Sequence, residues 1–156
     1  MTTDSDSDAL LKRAHRFDPQ ALAALHDELY PQVYRYVSYR CDDAQVCEDI
    51  SSEVFLRFLD VLKKNEQSVQ SARGWLFGTA NHLVMDHYRK IYRRKQETLD
   101  NHHYLADHHD TARETEDSLA AQEVRLAILN LTQDQQHVIT LRFSQGLSLD
   151  ETARVM

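Results

Sequence analysis

The densest chemistry in the sequence lies between residues 71 and 96. Arg73, Arg89, Lys90, Arg93, Arg94 and Lys95 stand there with a single acidic residue, Asp86. Such a cluster neutralises phosphates, and Trp75, Phe77, Tyr88 and Tyr92, interleaved with it, offer rings that stack on bases or wedge against them. Asn81 and His82 carry donors and acceptors suited to a base edge. Two plainer roles compete. Aromatic residues at helical spacing commonly bury themselves, as Trp75 and Phe77 would, and a run of Arg and Lys commonly forms a solvated face. Against the second stands the charge distribution. The chain carries a formal net charge of −7, with 8 basic and 13 acidic residues in 1–70, and 4 basic and 11 acidic in 97–156. A one-signed cationic stretch inside an acidic protein points to a polyanionic partner.

A second set is acidic. Glu48, Asp49, Ser52, Glu53 and Arg57 recur at a spacing that places them on one side of a helix, opposite Val46, Ile50, Val54, Phe58 and Leu62. Other candidates are looser. His102, His103, His108 and His109 are two adjacent pairs without the i,i+4 arrangement of a helical metal site, and they read as a solvated linker, with metal binding as the alternative. No metal ligand set and no cofactor are expected. Cys41 and Cys47 lack CxxC spacing and read as reduced thiols rather than a redox pair. P-loop, GxSxG, HExxH and Gly-rich phosphate turns are all missing, so no catalytic residue is assigned and an enzyme is not expected.

Helices must position these groups. With 156 residues, 42% apolar content, three Gly and two Pro, an all-α fold is expected. Leu22, Leu25, Leu29, Val33 and Val37 give one core stripe, and Asp42 or Asp43 caps the helix that follows. A third helix over roughly 72–95, with Leu76, Ala80, Leu83, Val84 and Ile91 inward, would be about 36 Å long, enough to lie across a nucleic acid. Residues 1–8 read as a disordered acidic tail and 97–118 as an acidic, His-rich linker, which could fold over the basic helix and weaken its binding. A helical pattern resumes at Leu119. Thr132 with Gln135, and Ser148 with Glu151, form two capping boxes on either side of Gly146, the opening half of a helix-turn-helix. The acidic start MTTDSDSD is unlike a signal peptide and no apolar run approaches a membrane span, so a cytoplasmic protein with no membrane partner is expected.

Three segments together resemble the extracytoplasmic-function (ECF) group of bacterial RNA polymerase sigma factors: CEDISSEVFLRFL at 47–59, ARGWLFGTANHLVMDHYRKIYRRK at 72–95 and LTQDQQHVITLRFSQGLSLDETA at 131–153. The resemblance implies a helical σ2 domain over 9–96, joined by the polar linker to the first helices of a σ4 helix-turn-helix domain over 119–156. It implies that Glu48, Asp49, Ser52, Glu53, Leu56 and Arg57 dock on the clamp helices of core RNA polymerase. Ser52 stands where the motif usually has glutamine, and its shorter side chain cannot make the same reach. The resemblance also implies that the long helix reads the −10 non-template strand of promoter DNA. Asn81 would contact a flipped base, and Arg73, Trp75, Asp86, Tyr88, Arg89, Lys90, Arg93, Arg94 and Lys95 would complete the DNA-binding set. Gly78 and Thr79 replace bulkier or basic residues usual there, leaving either local flexibility or a close backbone approach. The second capped helix reaches Met156 after about two turns, so the sequence as given is not expected to read a −35 element. An anti-sigma protein is a further expected partner. A helical metal or redox sensor and a different helix-turn-helix regulator are the alternatives; the second accounts for the C-terminal segment alone.

Overall fold

The computed structural model describes residues 4–64, 69–99 and 116–156. The His-rich stretch, the proposed metal pairs within it and any fold-back of the acidic linker lie outside the described residues, apart from the helical ends at 97–99 and 116–118. Among the described residues every regular element is helical: α1 (Asp4–His15), α2 (Pro19–Ser38), α3 (Ala44–Lys63), α4 (Ala72–Leu99), α5 (Glu116–Leu129), α6 (Gln133–Ile139), a π-turn at Thr140–Ser144, and α7 (Leu149–Val155). No described helix is long and apolar enough to cross a membrane.

The helix boundaries follow local chemistry. Asp18 caps α2 by accepting from the Gln20 amide, and Pro19 sits in the first turn, where its missing N–H leaves no bond unmade. Asp43 caps α3, accepting from the amides of Gln45 and Val46. Both expected capping boxes form, Thr132 with Gln135 at the start of α6 and Ser148 with Glu151 at the start of α7. Between them Gly146 takes φ +66°, the left-handed conformation that ends a helix at no Cβ cost.

Two boundaries differ from the sequence reading. Helix α1 begins at Asp4, inside the stretch expected as a disordered tail, because Leu11 and Ala14 bury themselves against the bundle and carry the acidic turn ahead of them into the helix. Helix α4 runs to Leu99, past the expected linker start at 97, for a total of 28 residues or about 42 Å. Nothing in Gln96–Leu99 breaks a helix, and the Thr98 hydroxyl bonds back to the Arg94 carbonyl.

Helices α1 to α4 share one core. Leu25, Leu29, Val33 and Val37 from α2 meet Ile50, Val54, Phe58 and Leu62 from α3 and Leu76, Phe77, Ala80 and Val84 from α4. Each fully buried Leu, Val or Phe contributes about 1.5–3 kcal/mol relative to an exposed one. The C-terminal elements are not a separate body. Leu141 of the π-turn and Leu147 before α7 belong to this same cluster, and α7 packs on α4 while the π-turn packs on α2. Among the described side chains of α5 only Ile128 is buried, while Leu119, Val124 and Leu126 are exposed.

Candidate core-polymerase and nucleic-acid interfaces

On α3 the apolar stripe that faces the bundle fixes what faces out. Glu48, Asp49, Ser52, Leu56 and Arg57 are exposed and Glu53 is half-buried, so the six expected docking residues share one outward strip. Arg57 donates to Glu53 across one turn at 2.8 Å, and Gln45 donates to Asp49 at 2.9 Å. Leu56 stands 59% exposed among these charges, an apolar anchor with no partner in the core.

Helix α4 divides along its length. From Ile91 onward its basic residues are solvent-facing: Arg93, Arg94 and Lys95 are exposed beside Tyr92, itself 64% exposed. Arg89 pairs with Asp86 at 3.1 Å and stays exposed with Lys90. A groove of about 590 Å³ runs along this half, lined by Met85, Tyr88, Arg89, Ile91, Tyr92, Arg93, Lys95 and, from the C-terminal segment, Gln133. Rings and cations alternating along a groove suit a single strand, whose bases stack and whose phosphates need neutralising.

The first half of α4 is tied inward. Phe77 is fully buried against Tyr36, and Trp75 is half-buried with its ring centroid 5.4 Å from that of Phe58, so both serve the core. Arg73, expected to contact DNA, donates instead to the Gln32 side chain and the Gln145 carbonyl, which bolts the turn before α7 to the bundle. Further along, in the second half, Tyr88 is tied inward only by its hydroxyl, which donates to the Arg40 carbonyl while the ring lines the groove. A Cβ added at Gly78 would meet no atom within 4 Å, so no close backbone approach requires glycine there.

Asn81 meets a cluster that the sequence did not disclose. Arg40 at the end of α2 is fully buried, and its Nη1 donates to both Tyr36 Oη and Asn81 Oδ1 at 2.5 Å. Its Nη2 donates to Gln133 Oε1 at 2.5 Å and, more weakly, to the Gln133 carbonyl. The Tyr36 oxygen, which accepts from Arg40, also hydrogen-bonds His137 Nδ1 at 2.6 Å, so the phenol links the guanidinium to the imidazole. Periodicity finds apolar stripes, and a polar group spanning α2, α4 and α6 leaves no periodic trace; its members lie up to 101 positions apart.

Burial, then the Arg40 charge, pushes the His137 pKa down to about 4; His82 adds to this and Asp134 opposes it. The imidazole is neutral while α6 is docked. Freed from the seam it returns to the ordinary value near 6.5. The stabilisation is therefore full above about pH 6.5 and lost as pH falls toward 4. Docking of α6 should weaken by about an order of magnitude between pH 7 and pH 5. Amide exchange of residues 133–144, corrected for intrinsic rates, measures it, and His137→Gln should flatten the dependence.

Both cysteines are buried and free, and Cys47 Sγ donates to the Cys41 carbonyl. Burial pushes the Cys41 thiol up to about 12 and the Cys47 thiol up to about 11. Thiolate, the reactive form, is then scarce at neutral pH, and the redox-sensor alternative gains no support. No cluster of His, Cys, Asp and Glu able to hold a metal occurs among the described residues.

An all-helical protein with an acidic, leucine-anchored face and a long basic-aromatic helix has the features of a helical nucleic-acid-binding factor that also docks on a protein partner. Comparison with known proteins narrows that class. Residues 25–94 match the Sigma-70 region 2 family model. The chain is 36% identical to the ECF RNA polymerase sigma factor BldN of Streptomyces coelicolor, over 98% of its own length and 60% of BldN's. It is 31% identical to SigX of Bacillus subtilis, over 85% of this chain and 70% of SigX. It is 32% identical to SigC of Mycobacterium tuberculosis, over 98% and 82% respectively. The solved RsbN–BldN complex contains a chain 32% identical over 93% of this one and 82% of its own length, with a TM-score of 0.45. The protein belongs to the ECF group of RNA polymerase sigma factors.

Proposed function

We propose that this chain directs promoter-specific initiation by binding core RNA polymerase through the outward strip of α3 and capturing the −10 non-template strand along α4. The observation that carries the reading is the division of labour between the two helices. Each gives its apolar stripe to one shared core. What each leaves outside is an acidic strip with an apolar anchor on α3, and a basic-aromatic groove on α4.

Acidic side chains around Leu56 suit a basic partner surface such as the polymerase clamp helices, where charge sets orientation and encounter rate and the leucine supplies buried area. Extruding a base costs a few kcal/mol of stacking and pairing, which the Tyr88 and Tyr92 rings and the Arg89, Lys90, Arg93, Arg94 and Lys95 charges would offset. Asp86 serves this set by orienting Arg89. Arg73 and Trp75 contribute through the fold. Bond-making chemistry stays with the polymerase, and an anti-sigma protein covering one or both faces is the expected regulator.

The test is open-complex formation by core polymerase with and without the purified chain, on promoter DNA selected by the complex itself. Asn81→Ala should reduce capture of the −10 single strand by about tenfold, the order of one lost base contact, while leaving core binding unchanged. A folded chain that binds core polymerase and opens no promoter would refute the −10 assignment.

A further inference from the structure

We propose that Arg40, with Asn81 and Tyr36, forms a nucleotide-binding site continuous with the α4 groove, and that the α6 segment occupies this site through Gln133 until single-stranded DNA displaces it. The inference rests on the single-strand reading of α4 and adds to it a residue, a cover and a competition.

The first observation is the state of Arg40. It is wholly buried, each hydrogen bond it makes among the described residues goes to a neutral oxygen, and its Nε has no partner there. Burying a guanidinium is costly unless an anion or a complete set of acceptors compensates, and this set is incomplete. A planar five-donor fork matches phosphate oxygens better than scattered amides do.

Position is the second observation. Gln133 both accepts from Arg40 Nη2 and lines the end of the basic-aromatic groove. A strand following Tyr92 and Tyr88 along α4 would reach Gln133 next. Its side-chain and backbone oxygens stand where a phosphate would accept from Arg40, with the Asn81 amide beside it for the attached base.

The third observation is that the cover is held by exchangeable bonds. Gln133 to Arg40, His137 to Tyr36 and the Gln145 carbonyl to Arg73 are polar contacts that water or DNA can replace; the apolar anchors are Leu141 and, beyond the π-turn, Leu147. The π-turn at Thr140–Ser144 interrupts the regular helix beside that anchor.

The experiment measures binding of a fluorescein-labelled, mixed-sequence 20-nucleotide single-stranded DNA to the full chain by anisotropy, with amide exchange of residues 133–144 reporting release of the cover. His137→Arg sets a second cation beside Arg40, and Leu141→Asp removes the apolar anchor nearest α6. Each should release the segment and raise DNA affinity about tenfold, the order of one charge-assisted contact. Adding Arg40→Gln to either should abolish that gain, and Arg40→Lys should keep part of it. Circular dichroism and melting confirm that each variant is folded.

If no variant binds single-stranded DNA, the reading of α4 itself falls. If binding depends on Arg89 and Arg93 but a released segment brings no gain, or the gain survives Arg40→Gln, that reading stands and the Arg40 site is overturned. A segment that neither substitution frees overturns the covering role.

Discussion

Changing Glu48, Asp49 and Glu53 together to Lys is expected to lower affinity for core RNA polymerase by about 100-fold or more while leaving the chain folded. Three exposed or half-exposed carboxylates on one strip of α3 become three ammonium groups, so each attraction to a basic partner surface turns into a repulsion. At about 1 kcal/mol or somewhat more per reversed charge, the sum is 3–4 kcal/mol, and 1.4 kcal/mol is a tenfold change. The cost to the fold is small by comparison. The bonds broken are the surface pair Glu53–Arg57 and the Gln45–Asp49 contact, and an exposed i,i+4 pair is worth about 0.3–0.5 kcal/mol. Titration against core polymerase at two salt concentrations checks the result. Unchanged affinity at low salt would remove α3 as the docking element, and a loss that vanishes as salt rises would mark steering without a docked contact.

What the sequence disclosed follows from what periodic patterns can carry. The α3 strip was readable because its apolar residues recur every three or four positions, which leaves Glu48, Asp49 and Ser52 outward by elimination. The two capping boxes and Gly146 were readable because their chemistry is local, within three residues of the boundary they set. Composition misled at both ends of the acidic and basic stretches. Asp4 to Asp8 look unstructured alone, yet Leu11 and Ala14 just beyond them find a core and extend the helix backward. Arg73 counts as one more cation in the sequence, but the Gln145 carbonyl, 72 positions away, determines what it does. Arg40 is the extreme case. One arginine at a helix end carries no signal, and its burial arises only when α4 and α6 close over it.

Phe77→Ala should destabilise the fold by about 3–5 kcal/mol, a large share of the 5–15 kcal/mol available to a typical domain, and lower the melting temperature by roughly 10 °C. Sequence alone left Phe77 open to two roles, a ring for stacking on bases or a ring for the core, and the two predict opposite outcomes. A base-stacking ring replaced by Ala would cost about 1–3 kcal/mol of DNA binding and little stability. The structure places Phe77 at zero exposure, its centroid 5.5 Å from that of Tyr36 and Arg73 stacked 5.7 Å from its face. Removing it leaves a cavity beneath Tyr36, whose hydroxyl joins Arg40 to His137, so the damage should spread to the seam. Residues 133–144 should then exchange their amides faster than the lost global stability alone explains. Urea denaturation of Phe77→Ala beside Tyr92→Ala separates the roles. The first should shift the midpoint strongly, and the second, whose ring is largely exposed, should leave it nearly unmoved and weaken single-strand binding instead.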